Sequence, residues 1–204
     1  MKKSNLIIGA SILLTAIMAL GSYLIYDNCS TESRILSMIR KNLGVVNYYC
    51  KANNINPRIY ISIIYGELHS NYNFFDDFDN LRAEYGFDPS AGFGQMKVST
   101  LMWLEENYSD GKIISKSRNR KEAVSKLLND TTNIAYSVFY IKLISQKLRS
   151  ITAKEPTVKQ LGSFYSLGID HGKREINSDF TSPVGLAAEK FYYSDDLIEI
   201  YPRQ

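Results

Sequence analysis

Three short segments of this sequence carry residue types that could do chemistry. The first ends in Glu67, a lone acid closing a strongly apolar run over residues 58–68. If that run is a helix, Glu67 stacks over Ile63 and Ile64, with Tyr60 one turn further back. Helical side chains lean toward the N-terminus, which lays the carboxyl over that apolar surface. Desolvation disfavours the charged form of a carboxyl in such a place. An acid that stays protonated near neutral pH can hand its proton to a leaving oxygen. On local pattern alone, a solvent-facing acid ending a core helix beside Leu68-His69-Ser70 explains Glu67 at least as well.

The second segment is Ser90-Ala91-Gly92-Phe93-Gly94-Gln95-Met96. Two glycines one residue apart allow close backbone approach, and Gln95 offers both a donor and an acceptor. The third is Phe164-Tyr165-Ser166-Leu167-Gly168, a helix end stopped by glycine. Each of these is unremarkable when taken alone.

The elements that must position them read as mostly helical. Ser30 or Thr31 starts a helix whose apolar residues Ile35, Leu36, Ile39, Leu43, Val46 and Tyr49 recur at helical spacing, fading at Asn53-Asn54. Asn56-Pro57 reads as an N-cap followed by proline in the first turn. The run after it suits a helix by cap and length, although its isoleucines would also suit a buried strand. Residues 71–94 lack helical periodicity and hold turn residues, which suggests a long loop with a small hairpin. Helical patterns resume at residues 99–107 and 120–128. A longer helix follows, capped by Asp130 or Thr131. Another starts at Pro156 or Thr157 and runs to Leu167, and a last one begins near Pro183. The expected fold class is all-α, with at most a small β-hairpin insert.

Taken in order, the three segments resemble the lytic transglycosylase and goose-type lysozyme superfamily. That family shows a Glu at the end of an apolar helix, then a Gly-x-Gln-type motif, then an Ala-Tyr-Asn-x-Gly motif. The matching residues here are Ile63-Ile64-Tyr65-Gly66-Glu67 with Ser70 and Asn73 nearby, Ala91-Gly92-Phe93-Gly94-Gln95-Met96 followed by Val98-Ser99-Thr100, and Phe164-Tyr165-Ser166-Leu167-Gly168. Asn133-Ile134 with Tyr140-Ile141 looks like the family's long helix before the Tyr motif. The resemblance spans residues 56–168 and implies a lysozyme-like domain that cuts peptidoglycan glycan strands. Glu67 would be the catalytic acid, with Gln95, Tyr165, Ser70 and Ser166 as substrate-binding or supporting residues. The sequence departs from the pattern in three ways. The separation of Glu67 from Gln95 is longer than the family's norm, Leu68 stands where Ser often follows the Glu, and Ser166 replaces the Asn of the Tyr motif.

The resemblance leaves the reaction product open. A lytic transglycosylase needs one Glu as acid and then base, and the sugar's own 6-hydroxyl closes a 1,6-anhydro ring. An inverting hydrolase needs a second carboxylate roughly 6.5–9.5 Å from the first to activate water. Asp76, Asp77, Asp79, Glu84 and Asp88 crowd the stretch after Glu67, and Asp79, Glu84 and Asp88 are the candidates for that role. A solvated, turn-rich loop explains several acids equally. The single-acid reaction is the leading expectation. No metal or other cofactor is expected, because the sequence holds no plausible ligand set and the chemistry needs none.

The N-terminal sequence bears on location. Residues 6–26 are 21 residues without a charge, preceded by Lys2 and Lys3 and followed by Asp27. As a helix they would extend roughly 32 Å, enough to span a bilayer core. The positive flank predicts a cytoplasmic N-terminus with everything after Tyr26 exported. A retained transmembrane anchor is the first reading, and a signal cleaved near Ala19-Leu20-Gly21 is the second. Residues 1–28 are therefore assigned to the anchor or signal segment and 29–204 to one catalytic domain, of a size for a single core. If Cys29 and Cys50 lie outside the cytoplasm, a disulfide is open to them.

Composition narrows the partners. A net charge of +3 without a long basic run argues against nucleic acid. The densest basic cluster, Lys112, Lys116, Arg118, Arg120 and Lys121, reads as a solvated loop and helix start, with an anionic wall as the alternative contact. Fifteen tyrosines, against nine phenylalanines and one tryptophan, suit a carbohydrate cleft and equally suit half-buried packing. The expected partners are glycan strands, the membrane through residues 6–26, and a secretion or envelope complex. Two rival readings from other classes are a wall-binding module without turnover and a helical envelope protein with no sugar site.

Overall fold

The computed structural model describes residues 18, 31–71, 82–83, 85–109, 114–168 and 181–202. Helix α1 covers residues 31–53, and α2 covers Pro57–Asn71. A two-stranded hairpin follows, β1 (Ser90–Ala91) and β2 (Met96–Lys97). Then come α3 (Val98–Tyr108), α4 (Arg120–Leu128), α5 (Asp130–Thr152), α6 (Val158–Leu167), α7 (Pro183–Tyr192) and α8 (Asp195–Ile200). The mostly helical class expected from the sequence is therefore what the chain adopts. Among the described residues no helix is long and apolar enough to cross a membrane. The proposed span at residues 6–26 lies, Met18 aside, outside the described residues, as does Cys29.

The helix ends follow local chemistry. Asn54 sits in the left-handed region at φ 56°, and Asn54 N–H and Ile55 N–H donate to the carbonyls of Lys51 and Cys50, closing α1. Asn56 Oδ1 accepts from Arg58 N–H at 2.9 Å, so Asn56-Pro57 opens α2 as its types predict. Thr157 and Gln160 form a reciprocal capping box at α6. Two sequence expectations shift. The cap of α5 is Asn129, whose side chain accepts from Thr132 N–H, rather than Asp130 or Thr131. Helix α8, capped by Ser194, was not anticipated. It is only six residues long, too short for periodicity to reveal.

Helix α2 is the centre of the molecule, and its composition says why. Residues 60–68 are buried without exception, with Tyr60, Ile63, Ile64 and Leu68 fully so. A helix that is apolar all round must be covered all round. Each buried isoleucine contributes about 1.5–3 kcal/mol. The isoleucine run, which would also suit a buried strand, is thus a helix, Pro57–Asn71. Gly66 lets the cover come close. A Cβ there would stand 2.6 Å from the Val184 carbonyl oxygen and 3.0 Å from Ala188 N. Helix α7 thus lies directly on α2. Tyr65, on the same turn, stacks on Phe191 of α7 with ring centroids 3.7 Å apart, and its hydroxyl donates to Glu32 at 2.8 Å.

Cys50 is fully buried in this core as a free thiol, and burial pushes its pKa up to about 12. A second buried polar group braces the far side. Glu105 of α3 accepts from Lys126 Nζ at 2.7 Å, from Ser117 N–H at 2.7 Å, from Ser117 Oγ at 2.9 Å and from Tyr136 Oη at 2.9 Å. The cluster ties α3, α4 and α5 to the segment before α4. Of the basic cluster noted in the sequence, Arg118 pairs with Glu122 at the start of α4.

Candidate active site

The hairpin is shaped by glycine and by one strained residue. Its register pairs Ser90 with Lys97 and Ala91 with Met96, leaving residues 92–95 as the turn. Gly92 has φ +71° and Gln95 φ +47°. A left-handed glutamine costs roughly 1–2 kcal/mol, and such strain is concentrated at functional sites. Two bonds hold the turn in this shape. Gln95 N–H donates to the Gly92 carbonyl at 3.0 Å, and Gln95 Nε2 donates to the same oxygen at 3.2 Å.

Below the turn lies Asn133 of α5, fully buried. Its Oδ1 accepts from Gly94 N–H at 2.6 Å. Its Nδ2 donates to the carbonyls of Ala91 at 3.1 Å and Leu127 at 2.9 Å. A Cβ at Gly92 would approach the Leu127 carbonyl oxygen to 2.0 Å, and one at Gly94 would approach Asn133 Oδ1 to 2.5 Å. Both glycines are needed to let the loop sit on this side chain. From above, Tyr165 near the end of α6 donates its hydroxyl to the Gly94 carbonyl at 2.5 Å. Burial pushes the Tyr165 phenol well above its ordinary pKa, with Tyr60, Glu67 and Tyr140 adding to the effect. It stays a neutral donor. Helix α6 then stops at Gly168, φ +90°, one turn past Tyr165.

These elements enclose a cleft of about 280 Å³, lined among others by Glu67, Gln95, Tyr140, Tyr165 and Ser166. Glu67 lines the cleft yet is only 3% exposed, and Ile63 and Ile64, one turn earlier on α2, are fully buried. So complete a burial of a carboxyl is costly and calls for compensating contacts or a functional reason. Of the residues singled out in the sequence, the cleft brings together Glu67, Gln95, Tyr165 and Ser166. Ser70 does not line it and is exposed on the last turn of α2. Asp88 is exposed and works as a cap for α3, accepting from Ser99 N–H at 2.9 Å and Ser99 Oγ at 2.6 Å. Asp79 and Glu84 lie outside the described residues.

Sequence reasoning missed several contributors. Ser90, Lys97 and Thr100 line the cleft beside Glu67. The signal was present in part. Lys97 and Thr100 stand three apart at a helix start, and the hairpin register puts Ser90 opposite Lys97. Asn133 entered only through a weak motif match, and its role under the loop follows from contacts far apart in sequence. Among the described residues no group of three or more His, Cys, Asp or Glu could hold a metal ion. A larger depression of about 630 Å³ at the other end of α2 is lined by Asn56, Pro57, Arg58, Tyr192, Tyr193, Tyr201 and Pro202. Its described lining has no carboxyl side chain, and its Arg58 is committed to the carbonyls of Tyr192 and Tyr201.

No family model, curated protein or solved structure matches this chain.

Proposed function

We propose that residues 29–204 form a lysozyme-like glycosidase that cuts the β-1,4 bonds of peptidoglycan, with Glu67 as general acid and then base. The observation that carries this reading is the meeting of Glu67, Gln95, Tyr165 and Ser166 in one cleft. These come from three segments whose order resembles the lytic transglycosylase and goose-type lysozyme superfamily. A nearly buried carboxyl that lines a polar cleft suits proton transfer to a leaving oxygen.

In this reading Glu67 protonates the bridging oxygen as the bond from that oxygen to the muramyl C1 breaks. The resulting carboxylate takes the proton of the same sugar's 6-hydroxyl as its oxygen bonds to C1. A 1,6-anhydro end forms and Glu67 regains its proton. Among the described residues lining the cleft Glu67 is the one carboxylate, and Asp88 is spent on Ser99. With Asp88 so engaged, inverting hydrolysis would have to draw its second carboxylate from Asp79 or Glu84, which lie outside the described residues, whereas the single-acid reaction needs only Glu67. Gln95 and Ser166 are proposed to contact the sugar, and Tyr165 to brace the Gly94 turn. The uncharged stretch at residues 6–26 supports export, with a membrane anchor holding the domain near its polymer and near any envelope or secretion complex it serves.

The test is digestion of purified peptidoglycan by the full-length chain in detergent, with the products weighed. Anhydro ends are expected, and Glu67→Gln is expected to lower the rate by about 10²–10⁴-fold. Reducing ends would identify a hydrolase. Binding without any product would identify a wall-binding module. Undiminished activity of Glu67→Gln would remove Glu67 from the mechanism.

A further inference from the structure

Lys97 is the lysine or arginine among the described residues that line the cleft, and the sequence motifs leave it unassigned. It is exposed, at the end of β2 and immediately before α3. Its side chain does not cap the helix it precedes. That task falls to Asp88 through Ser99. Lys97 has no ion-pair partner among the described residues.

Its neighbours on the rim share its character. The hairpin register sets Ser90 opposite Lys97, and Thr100 follows one turn along α3. All three line the same cleft as Glu67, so the rim offers one ammonium and two hydroxyls. The single carboxyl among the described lining residues is the buried Glu67. A rim with two hydroxyls that can donate and an ammonium that has no ion-pair partner among the described residues is complementary to an anionic substituent on the ligand.

We propose that Lys97, assisted by Ser90 and Thr100, makes the cleft selective for a carboxylate-bearing glycan over a neutral one. This rests on the glycosidase reading of the same cleft and adds its charge preference. The group recognised is a carboxylate carried by the sugar, such as the free lactyl ether of a muramyl residue that bears no peptide.

The experiment uses two β-1,4 tetrasaccharides of equal length. One is neutral and built only from N-acetylglucosamine. The other alternates it with N-acetylmuramic acid bearing free lactyl carboxylates. Binding of each to the full-length Glu67→Gln protein is measured by calorimetry, so that cleavage does not intrude. The parent should bind the anionic sugar more tightly, and added salt should narrow the gap. Lys97→Met should reduce the ratio of affinities by about three- to fivefold, the scale of one exposed ion pair. Lys97→Glu should reverse the preference, and Lys97→Arg should keep it. If both sugars bind and the ratio is the same in the parent, Lys97→Met and Lys97→Glu, the charge selection is refuted and the glycosidase reading survives. If neither sugar binds the parent protein, both ideas fall together.

Discussion

Asn133→Ala is the sharpest probe of how this cleft is built. The side chain is fully buried and makes three hydrogen bonds, to Gly94 N–H, the Ala91 carbonyl and the Leu127 carbonyl. Alanine would remove all three at once and leave a small void. A buried group left without its partner costs about 1–3 kcal/mol, and such losses overlap within one network. A total near 3–5 kcal/mol is expected, a large part of the stability of a domain this size. Function should suffer beyond stability. Gly94 would lose its anchor on one side and keep only Tyr165 on the other. The left-handed Gln95 next to it would relax toward an ordinary conformation. The assay is urea unfolding of both proteins, followed by activity on peptidoglycan under conditions where the variant is folded. A stability loss below about 1 kcal/mol would mean that the glycine turn holds its shape without Asn133. Full activity in the folded variant would mean that the turn's shape does not matter to the cleft.

Further expectations follow from the packing and the buried groups. Gly66→Ala would drive a methyl to 2.6 Å from the Val184 carbonyl, so α7 must move off α2. A loss of about 1–3 kcal/mol is expected, read as a lower thermal midpoint. Burial opposes ionisation of Glu105, but its bonds from Lys126, Ser117 and Tyr136 outweigh that and hold its pKa below the ordinary 4.5. A depressed carboxylate stabilises the fold above its unfolded pKa and loses that contribution as pH falls through the folded one. Stability should therefore decline on acidification through and below the ordinary carboxylate range. Glu105→Gln should flatten that decline in urea titrations at successive pH values. Cys50, buried with its thiol raised to about 12, should resist a disulfide-exchange reagent at neutral pH in the native protein and react fully once unfolded.

The sequence by itself determined the helices and most of their ends. Asn56-Pro57, Pro156-Thr157 and Gly168 act on backbone groups within a turn or so of themselves, so their types suffice to mark a boundary. It also marked Glu67, because a charge in an apolar run stands out before any contact is known. The hairpin was legible only as a region, since two paired residues per strand leave no alternation to read.

Only the tertiary structure decided what those helices make together. That α2 is covered on every side depends on α7, more than 110 residues downstream, coming close over Gly66. That Gly92, Gly94 and Gln95 form a rigid turn depends on Asn133, about 40 residues away. That Lys97 faces the same space as Glu67 depends on both. Local sequence governs bonds between near neighbours. A cleft is made by side chains brought together from distant parts of the chain, and their meeting is fixed by the packing of the whole core.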